Sequence, residues 1–402
     1  MKTIDEINWK GKKALIRVDF NVPLDDQHRI LDHTRIEGAM PTLEHILDQQ
    51  GSIILMSHLG RPKGKYDEDL SLKHVVQELE KRLNRSVKFA PDCIGKEAQD
   101  KARHLKNGEV LLLENLRFHA GEREGSAAFA GELASLGDAY VNDAFGASHR
   151  RHASITEVPK YFREKFGGEL LELEMEKIDL LLEKPKAPVT IILGGAKITD
   201  KIGTIEALLD KANYILIGGG MAYTFIKAQE GQIGKSLVDE NQLEVARWLL
   251  NKSKRSKARI VLPVDSVISK SAEDPKTRVV ASREIEDDFM GGDIGPETRR
   301  IFTEIIARSN TIFWNGPLGI FEKEHFQEGT QTIAQAIADA TGRDAYTLVG
   351  GGDTTASITR FFLQGSFWHV STGGGALLEY MEKRELPGID AVSVPSETVL
   401  FS

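Results

Sequence analysis

Val189-Thr190-Ile191-Ile192-Leu193 runs without a break into Gly194-Gly195-Ala196-Lys197-Ile198-Thr199-Asp200-Lys201. Five aliphatic or β-branched residues with no polar alternation predict a strand covered on both faces, the mark of a parallel sheet. The glycines directly after it let backbone N–H groups approach an anion, and a helix starting there would add its positive end. Lys197 and Lys201 are four apart and would share one face if that segment were helical.

The same grammar repeats outward. Tyr214–Ile217 precedes Gly218-Gly219-Gly220, Thr311–Trp314 precedes Asn315-Gly316-Pro317, and Tyr346–Val349 precedes Gly350-Gly351-Gly352-Asp353-Thr354. Arg259–Leu262 is a further strand, and Ser371-Thr372-Gly373-Gly374-Gly375 a further glycine loop. Upstream, Ala14–Val18, Ile53–Ser57, Val110–Leu113 and Ala139–Asn142 read as strands too, but their loops carry side chains instead of glycines. These loops hold Asp19 and Asn21, then His58 and Arg61, then Arg117, then His149 and Arg150, with Arg35 just beyond the first. Leu72, Val75, Val76, Leu79 and Leu83 mark an amphipathic helix between strands. The alternation predicts an α/β protein of two doubly wound parallel-sheet, Rossmann-like domains, which suits 402 residues better than one domain does. Leu171, Met175, Ile178 and Leu182 recur at helical spacing up to Lys184-Pro185-Lys186-Ala187-Pro188, so 168–186 is expected to be a hinge helix and linker.

Composition divides along the same line. Residues 1–186 hold nine of the eleven histidines, whereas 187–402 hold 23 of the 37 glycines. Arginine and histidine capture anions with side chains, while clustered glycine captures them with backbone. Arginines on several strand ends of one sheet repel unless a di- or trianionic ligand joins them. Four glycine loops, two lysines and Asp353-Thr354 point to a nucleotide with Mg²⁺ on its phosphates. Gly234-Lys235-Ser236 is not the end of a P-loop, because Gln229 stands where glycine is needed, and no Gly-x-Gly-x-x-Gly occurs at Gly218 or Gly350. Without a cysteine pair or His-x-x-x-His, a His/Cys metal site has no support.

The formal net charge of −8 argues against a nucleic-acid partner. No apolar run approaches the roughly 20 residues needed to span a bilayer, and the N-terminus lacks an apolar signal core. The single cysteine, Cys93, forms no internal disulfide. A cytoplasmic protein without a membrane partner is expected.

Arg17–Pro23, Ser57–Pro62, Glu114–Phe118, Asn142–Arg150, Gly194–Gly203, Trp314–Glu322, Gly350–Thr354 and Ser371–Ala376 match, in order and spacing, the motifs of one family. Over essentially its whole length the chain resembles phosphoglycerate kinases. The resemblance implies reversible transfer of a phosphoryl group from 1,3-bisphosphoglycerate to ADP, giving 3-phosphoglycerate and ATP. It puts Asp19, Asn21, Arg35, His58, Arg61, Arg117 and Arg150 around 3-phosphoglycerate. It puts Gly195, Ala196, Lys197, Lys201, Gly219, Gly291, Asn315, Glu322, Gly351, Gly352, Asp353 and Thr354 around the nucleotide, with Asp353 on Mg²⁺. Arg35, Lys197, Lys201 and the amides of Gly373, Gly374 and Gly375 would serve the phosphoryl in flight. It further implies a monomer that closes on a hinge. Its parts would be 1–167 for the acid, 168–186 joining, 187–385 for the nucleotide, and a tail 386–402 returning toward the first domain.

The chain departs from the family at Gly292, where an apolar residue near the adenine is usual, and at Arg151, where a small residue is usual. The hinge segment Gly167–Asp179, the loop before Tyr346 and the tail Ser393–Ser402 depart as well. A hinged binding protein without turnover would explain the arginines but not Lys197, Lys201 and Asp353-Thr354. A dehydrogenase would fit the fold class but lacks the glycine fingerprint.

Overall fold

The computed structural model describes residues 1–393. The chain divides into two compact units: Met1–Met175 together with the chain from Lys383 onward, and Glu176–Glu382. The division falls inside the helix Glu169–Glu183.

In the first unit, β1 (Lys13–Val18), β2 (Ser52–Met56), β3 (Val87–Ala90), β4 (Val110–Leu113), β5 (Ala139–Asp143) and β6 (Lys165–Gly167) form one sheet in the order β3-β4-β2-β1-β5-β6. Every pairing is parallel. The order reverses direction around β1, β2 and β5, and in such a sheet ligands gather at the carboxyl ends of the strands beside that reversal. Ile16, Val18, Ile53, Leu55 and Leu112 pack one face with helix residues such as Leu43 and Ile46. Leu15, Ile54, Leu111 and Tyr140 pack the other with Phe129 and Leu133. Two buried faces are why these strands read as unbroken aliphatic runs. The chain ends its described part in the helix Pro387–Ser393, where Gly388 donates to the Ser148 carbonyl at 2.8 Å and accepts from Asn142 Nδ2 at 3.0 Å. A side chain at Gly388 would meet Ser148 and Ile155 at under 3 Å. Of the expected tail, residues 394–402 lie outside the described residues.

The second unit repeats the plan with β7 (Val189–Leu193), β8 (Tyr214–Ile217), β10 (Arg259–Val261), β15 (Thr311–Asn315), β16 (Tyr346–Gly350) and β17 (His369–Ser371), in the order β10-β8-β7-β15-β16-β17. Two small sheets stand beside it. One is three-stranded and antiparallel, of β11 (Asp265–Ser269), β12 (Arg278–Ala281) and β14 (Met290–Ile294). The other pairs β9 (Gln232–Ile233) with β13 (Glu284–Ile285). The sequence reading found neither, nor the edge strands β3, β6 and β17. The shared reason is weak patterning: the sheet-edge strands are only three or four residues long, and β12 is mostly exposed. No helix among the described residues is long and apolar enough to cross a membrane.

Candidate functional site

In the first unit the loops after β1, β2, β4 and β5 bring charged side chains to one end of the sheet. Asp19 follows β1 and accepts from Arg35 Nη1 at 2.8 Å; Arg35 lies in the first turn of the helix Thr34–Asp48. Asn21 Oδ1 accepts from the Gly60 amide at 2.8 Å, tying the β1 loop to the β2 loop. Arg117 Nη1 donates to the Gly60 carbonyl at 2.6 Å, while its Nε is buried with no hydrogen-bond partner among the described residues. His58 is buried, with Nδ1 at 3.1 Å from Arg17 Nη2 and Nε2 at 3.5 Å from Arg150 Nη1. Arg61 is exposed, and its charge acts on Arg150.

The charges respond to this crowding. Burial holds the His58 imidazolium well below the ordinary histidine range, and Arg17, Arg117, Arg150 and Arg35 push the same way. His58 is therefore neutral at physiological pH. Burial, with Arg150 and Arg17 beside it, lowers the Arg117 guanidinium to about 10. Burial likewise lowers Arg150. A cluster of cations that burden one another is relieved by an anion with two or three charges. Arg151 is exposed and its charge bears on Asp390.

Sequence reasoning passed over Arg17, Ser154 and Glu122, all fully buried. Arg17 carried a signal, a lone cation inside an aliphatic strand. Glu122 carried none, because Gly121-Glu122-Arg123-Glu124 reads as a solvated turn.

In the second unit the glycine loops after β7, β8 and β15 border a cavity of about 370 Å³, walled further by Tyr223, Leu237, Pro263, the β14 residues from Met290 to Ile294, Leu318 and Ile320. Gly195, Ala196, Gly219, Gly291, Glu322 and Asp353 all line it. Backbone does the shaping. A Cβ at Gly194 would lie 2.1 Å from the Pro317 carbonyl oxygen, and one at Gly219 (φ +65°) 2.7 Å from the Gly195 nitrogen. Asn315, at the end of β15, accepts from Lys201 Nζ at 2.6 Å and donates to the Gly350 carbonyl at 2.8 Å. Thr354 Oγ1 accepts from the Gly316 amide at 2.7 Å. Gly351 (φ +105°) caps the helix Gly352–Arg360, so Gly352 and Asp353 sit exposed in its first turn.

Three expectations need correction or refinement. Lys197 and Lys201 do not share a helix face. Lys197 is exposed in a loop, and Lys201 closes the 3-10 turn Thr199–Lys201, because the chain bends at Gly195 (φ +98°) before any helix begins. Burial lowers the Lys201 ammonium, with Asp200 and Asp353 opposing that shift. Among the three amides of Gly373–Gly375, that of Gly373 is already taken by Ser371 Oγ at 3.0 Å. Gly292 is not a gap in the cavity wall: a Cβ there would lie 2.3 Å from the buried Phe326 ring.

A family model described as phosphoglycerate kinase matches residues 4–384. The phosphoglycerate kinase of Chloroherpeton thalassium is 48% identical over 393 residues, covering 98% of this chain and 99% of that protein. That of an Anaeromyxobacter species (strain Fw109-5) is 47% identical over 395 residues, covering 98% and 99%. The structure of phosphoglycerate kinase from Coxiella burnetii superposes with a TM-score of 0.85 at 37% identity, covering 97% of this chain and 98% of that one. The enzyme from Pyrococcus horikoshii gives 0.84 at 29%, covering 98% of each.

Proposed function

The chain belongs to the phosphoglycerate kinase family and is a phosphotransferase with a carboxyl group as acceptor, and we propose that its two units divide the substrates as their chemistry divides. 3-Phosphoglycerate belongs to the arginine–histidine end of the first unit, held by Asp19, Asn21, Arg35, His58, Arg61, Arg117 and Arg150. The nucleotide belongs to the glycine-walled cavity of the second unit. The observation that carries this reading is the contrast in donors: Arg117 keeps a buried Nε unpaired at one end, while the cavity is bounded by bare backbone at Gly194 and Gly219.

The acceptor carboxylate is already ionised at neutral pH, so the reaction needs no general base. It needs alignment, charge neutralisation and exclusion of water. Lys201 is suited to the transferring phosphate because Asn315 fixes its ammonium and burial strengthens its field. Lys197 is the exposed counterpart, unburied in its loop and able to reach the ligand. Gly374 and Gly375, opening the helix Gly375–Lys383, supply N–H donors at a positive helix end. Asp353 is a hard oxygen donor in the mouth of the cavity, the type of ligand Mg²⁺ takes alongside phosphate oxygens. When bound, the ion neutralises phosphate charge.

In-line transfer requires the two ligands to be brought together, and the helix Glu169–Glu183 is the proposed hinge. A monomeric, cytoplasmic enzyme without a membrane partner completes the reading, and the net charge of −8 supports the lack of a nucleic-acid partner. A binding protein without turnover is disfavoured by the family itself. The decisive experiment is transfer from Mg-ATP to 3-phosphoglycerate, coupled to NADH oxidation by glyceraldehyde-3-phosphate dehydrogenase. Activity should vanish when either substrate or Mg²⁺ is omitted. Activity independent of 3-phosphoglycerate would overturn the assignment.

A further inference from the structure

Behind the arginine–histidine end lies a polar relay that touches no proposed ligand position. Glu122 is fully buried. Its Oε2 accepts from the Ser154 amide at 2.9 Å, and its Oε1 from the Ser154 hydroxyl at 2.7 Å. A carboxylate only accepts, so the Ser154 proton must point to Glu122. That leaves the Ser154 oxygen lone pairs for Arg17, whose Nε donates to it at 2.9 Å. Arg17 is buried as well, its Nη1 spent on the Val18 carbonyl. Its remaining nitrogen, Nη2, faces His58 Nδ1 at 3.1 Å.

A guanidinium has no lone pair to offer, so Nδ1 of His58 must be the acceptor in that contact. The ring proton then sits on Nε2. Asp19 Oδ1 lies 3.8 Å from Nδ1, too far to draw the proton there by a hydrogen bond. On the other side of the ring, Arg150 Nη1 stands 3.5 Å from Nε2. Two donors facing each other at that distance are not bonded to one another. An anion oxygen placed between them would accept from both.

We propose that Glu122 and Ser154 are positioning residues: by orienting Arg17 they lock His58 as the neutral Nε2–H tautomer, so that it donates to the same anion oxygen as Arg150. This deepens the assignment of 3-phosphoglycerate to the first unit and rests on it. The locked tautomer explains why a histidine, and not another cation, stands among Arg17, Arg35, Arg117 and Arg150. A neutral donor adds a hydrogen bond without adding repulsion among the arginines. Glu122 also supplies negative charge behind the cluster, facing Arg17, with His152 Nδ1 at 3.7 Å from its Oε1. Asp19 is the other carboxylate facing the ring.

The test is a histidine ¹⁵N spectrum of the full chain, in which the two tautomers and the imidazolium give distinct patterns. His58, assigned by its loss in His58→Gln, should show Nε2–H and remain neutral between about pH 6 and pH 8. In Ser154→Ala the lock is broken, and the His58 signals should move toward a tautomer mixture. The dissociation constant for 3-phosphoglycerate should rise roughly tenfold, the scale of one charge-assisted hydrogen bond, while that for ATP stays put. Glu122→Gln should do the same if it folds; Ser154→Ala carries the test if it does not. An Nδ1–H or protonated His58 in the unaltered chain, or a Ser154→Ala spectrum with His58 unmoved, overturns the proposal. The spectrum does not depend on turnover. In the unaltered chain, absence of the Nε2–H tautomer with transfer activity intact therefore sinks the relay alone, whereas absent transfer with the tautomer present sinks the functional reading.

Discussion

The two units share one plan, a six-stranded parallel sheet with its polar loops at the strand ends, yet their proposed anion sites are built from opposite materials. The first uses side chains: a buried His58 among arginines, held apart by Asp19 and Glu122. The second uses absence of side chains: glycines at 194, 219 and 351 where a Cβ would collide with backbone or with Asn315. The lesson is that a site of side chains is broken by deletion, and a site of backbone by addition. The first should lose its ligand and keep its fold under a truncating substitution. The second should lose fold and ligand together when one carbon is added where it meets backbone, as at Gly194 or Gly219.

Arg35→Ala is the sharpest deletion. It removes a cation that is about one-third exposed and leaves Asp19 without its 2.8 Å partner. The expected fall in kcat/KM is on the order of 10²- to 10³-fold, as for a lost donor at a developing charge. ATP affinity, measured by calorimetry, should be unchanged. A loss of both ligands would mean that the units are not chemically independent. Gly219→Ala is the matching addition. It places a β-carbon at φ +65° and 2.7 Å from the Gly195 nitrogen, a backbone clash with no flexible atom to yield. We expect a loss of at least about 2 kcal/mol in stability and a weakened nucleotide, with 3-phosphoglycerate binding preserved. A variant as stable as the parent that still binds ATP would break the comparison.

The contrast was legible in the sequence because glycine and arginine announce themselves at strand ends. The strands at the centre of each sheet were legible too, since burial on both faces forces aliphatic runs such as Ile53-Ile54-Leu55. What the sequence hid follows from the same physics. His369–Ser371 and Lys165–Gly167 sit at sheet edges and need no such run. The antiparallel β12 shows almost all of its residues to solvent. The helix face proposed for Lys197 and Lys201 failed because Gly195 redirects the chain, which spacing alone does not reveal. Arg17, Ser154 and Glu122 belong to the network only through contacts 32 to 137 residues apart.

Each unit also buries one carboxyl group that burial pushes from 3.8 up to about 7, Asp143 in the first and Asp293 in the second. The Thr42 side chain and the Leu171 and Leu170 amides oppose the shift at Asp143, and the Gly329 and Ile294 amides oppose it at Asp293. The folded form therefore binds a proton that the unfolded chain releases near 3.8. The associated stability is fully present below that value and is lost as pH rises toward about 7. The two differ in how the oxygens are used. Asp143 directs Oδ1 at the amides of Leu170 and Leu171, and its Oδ2 has no hydrogen-bond partner among the described residues. Asp293 spends one oxygen on Ile294 and the other on Gly329. Asp143→Asn keeps its acceptor and should raise the thermal midpoint at about pH 8.5 by several degrees, on the scale of a few kcal/mol. Asp293→Asn turns an amide group toward an N–H and should lower the midpoint at every pH. Equal responses in the two variants would show that the oxygens are not distinguished as described.

The smallest effect isolates the reason for a glycine. Gly352 lies in the first turn of its helix, its φ is ordinary, and a Cβ there meets nothing within 4 Å. The fold does not need glycine at this position. Alanine should leave the free protein unchanged or stabilise it by about 0.5–1 kcal/mol, the ordinary helix preference. If a phosphate approaches this amide as closely as the proposed nucleotide site requires, the added methyl must be felt only when the ligand arrives. The expected result for Gly352→Ala is a thermal midpoint equal to or above the parent's, with the KM for ATP raised several-fold and that for 3-phosphoglycerate unmoved. Gly219→Ala, by contrast, should lose stability before any ligand is added. Both KM values unchanged in Gly352→Ala would remove this loop from the backbone-built site and leave Gly194 and Gly219 to define it.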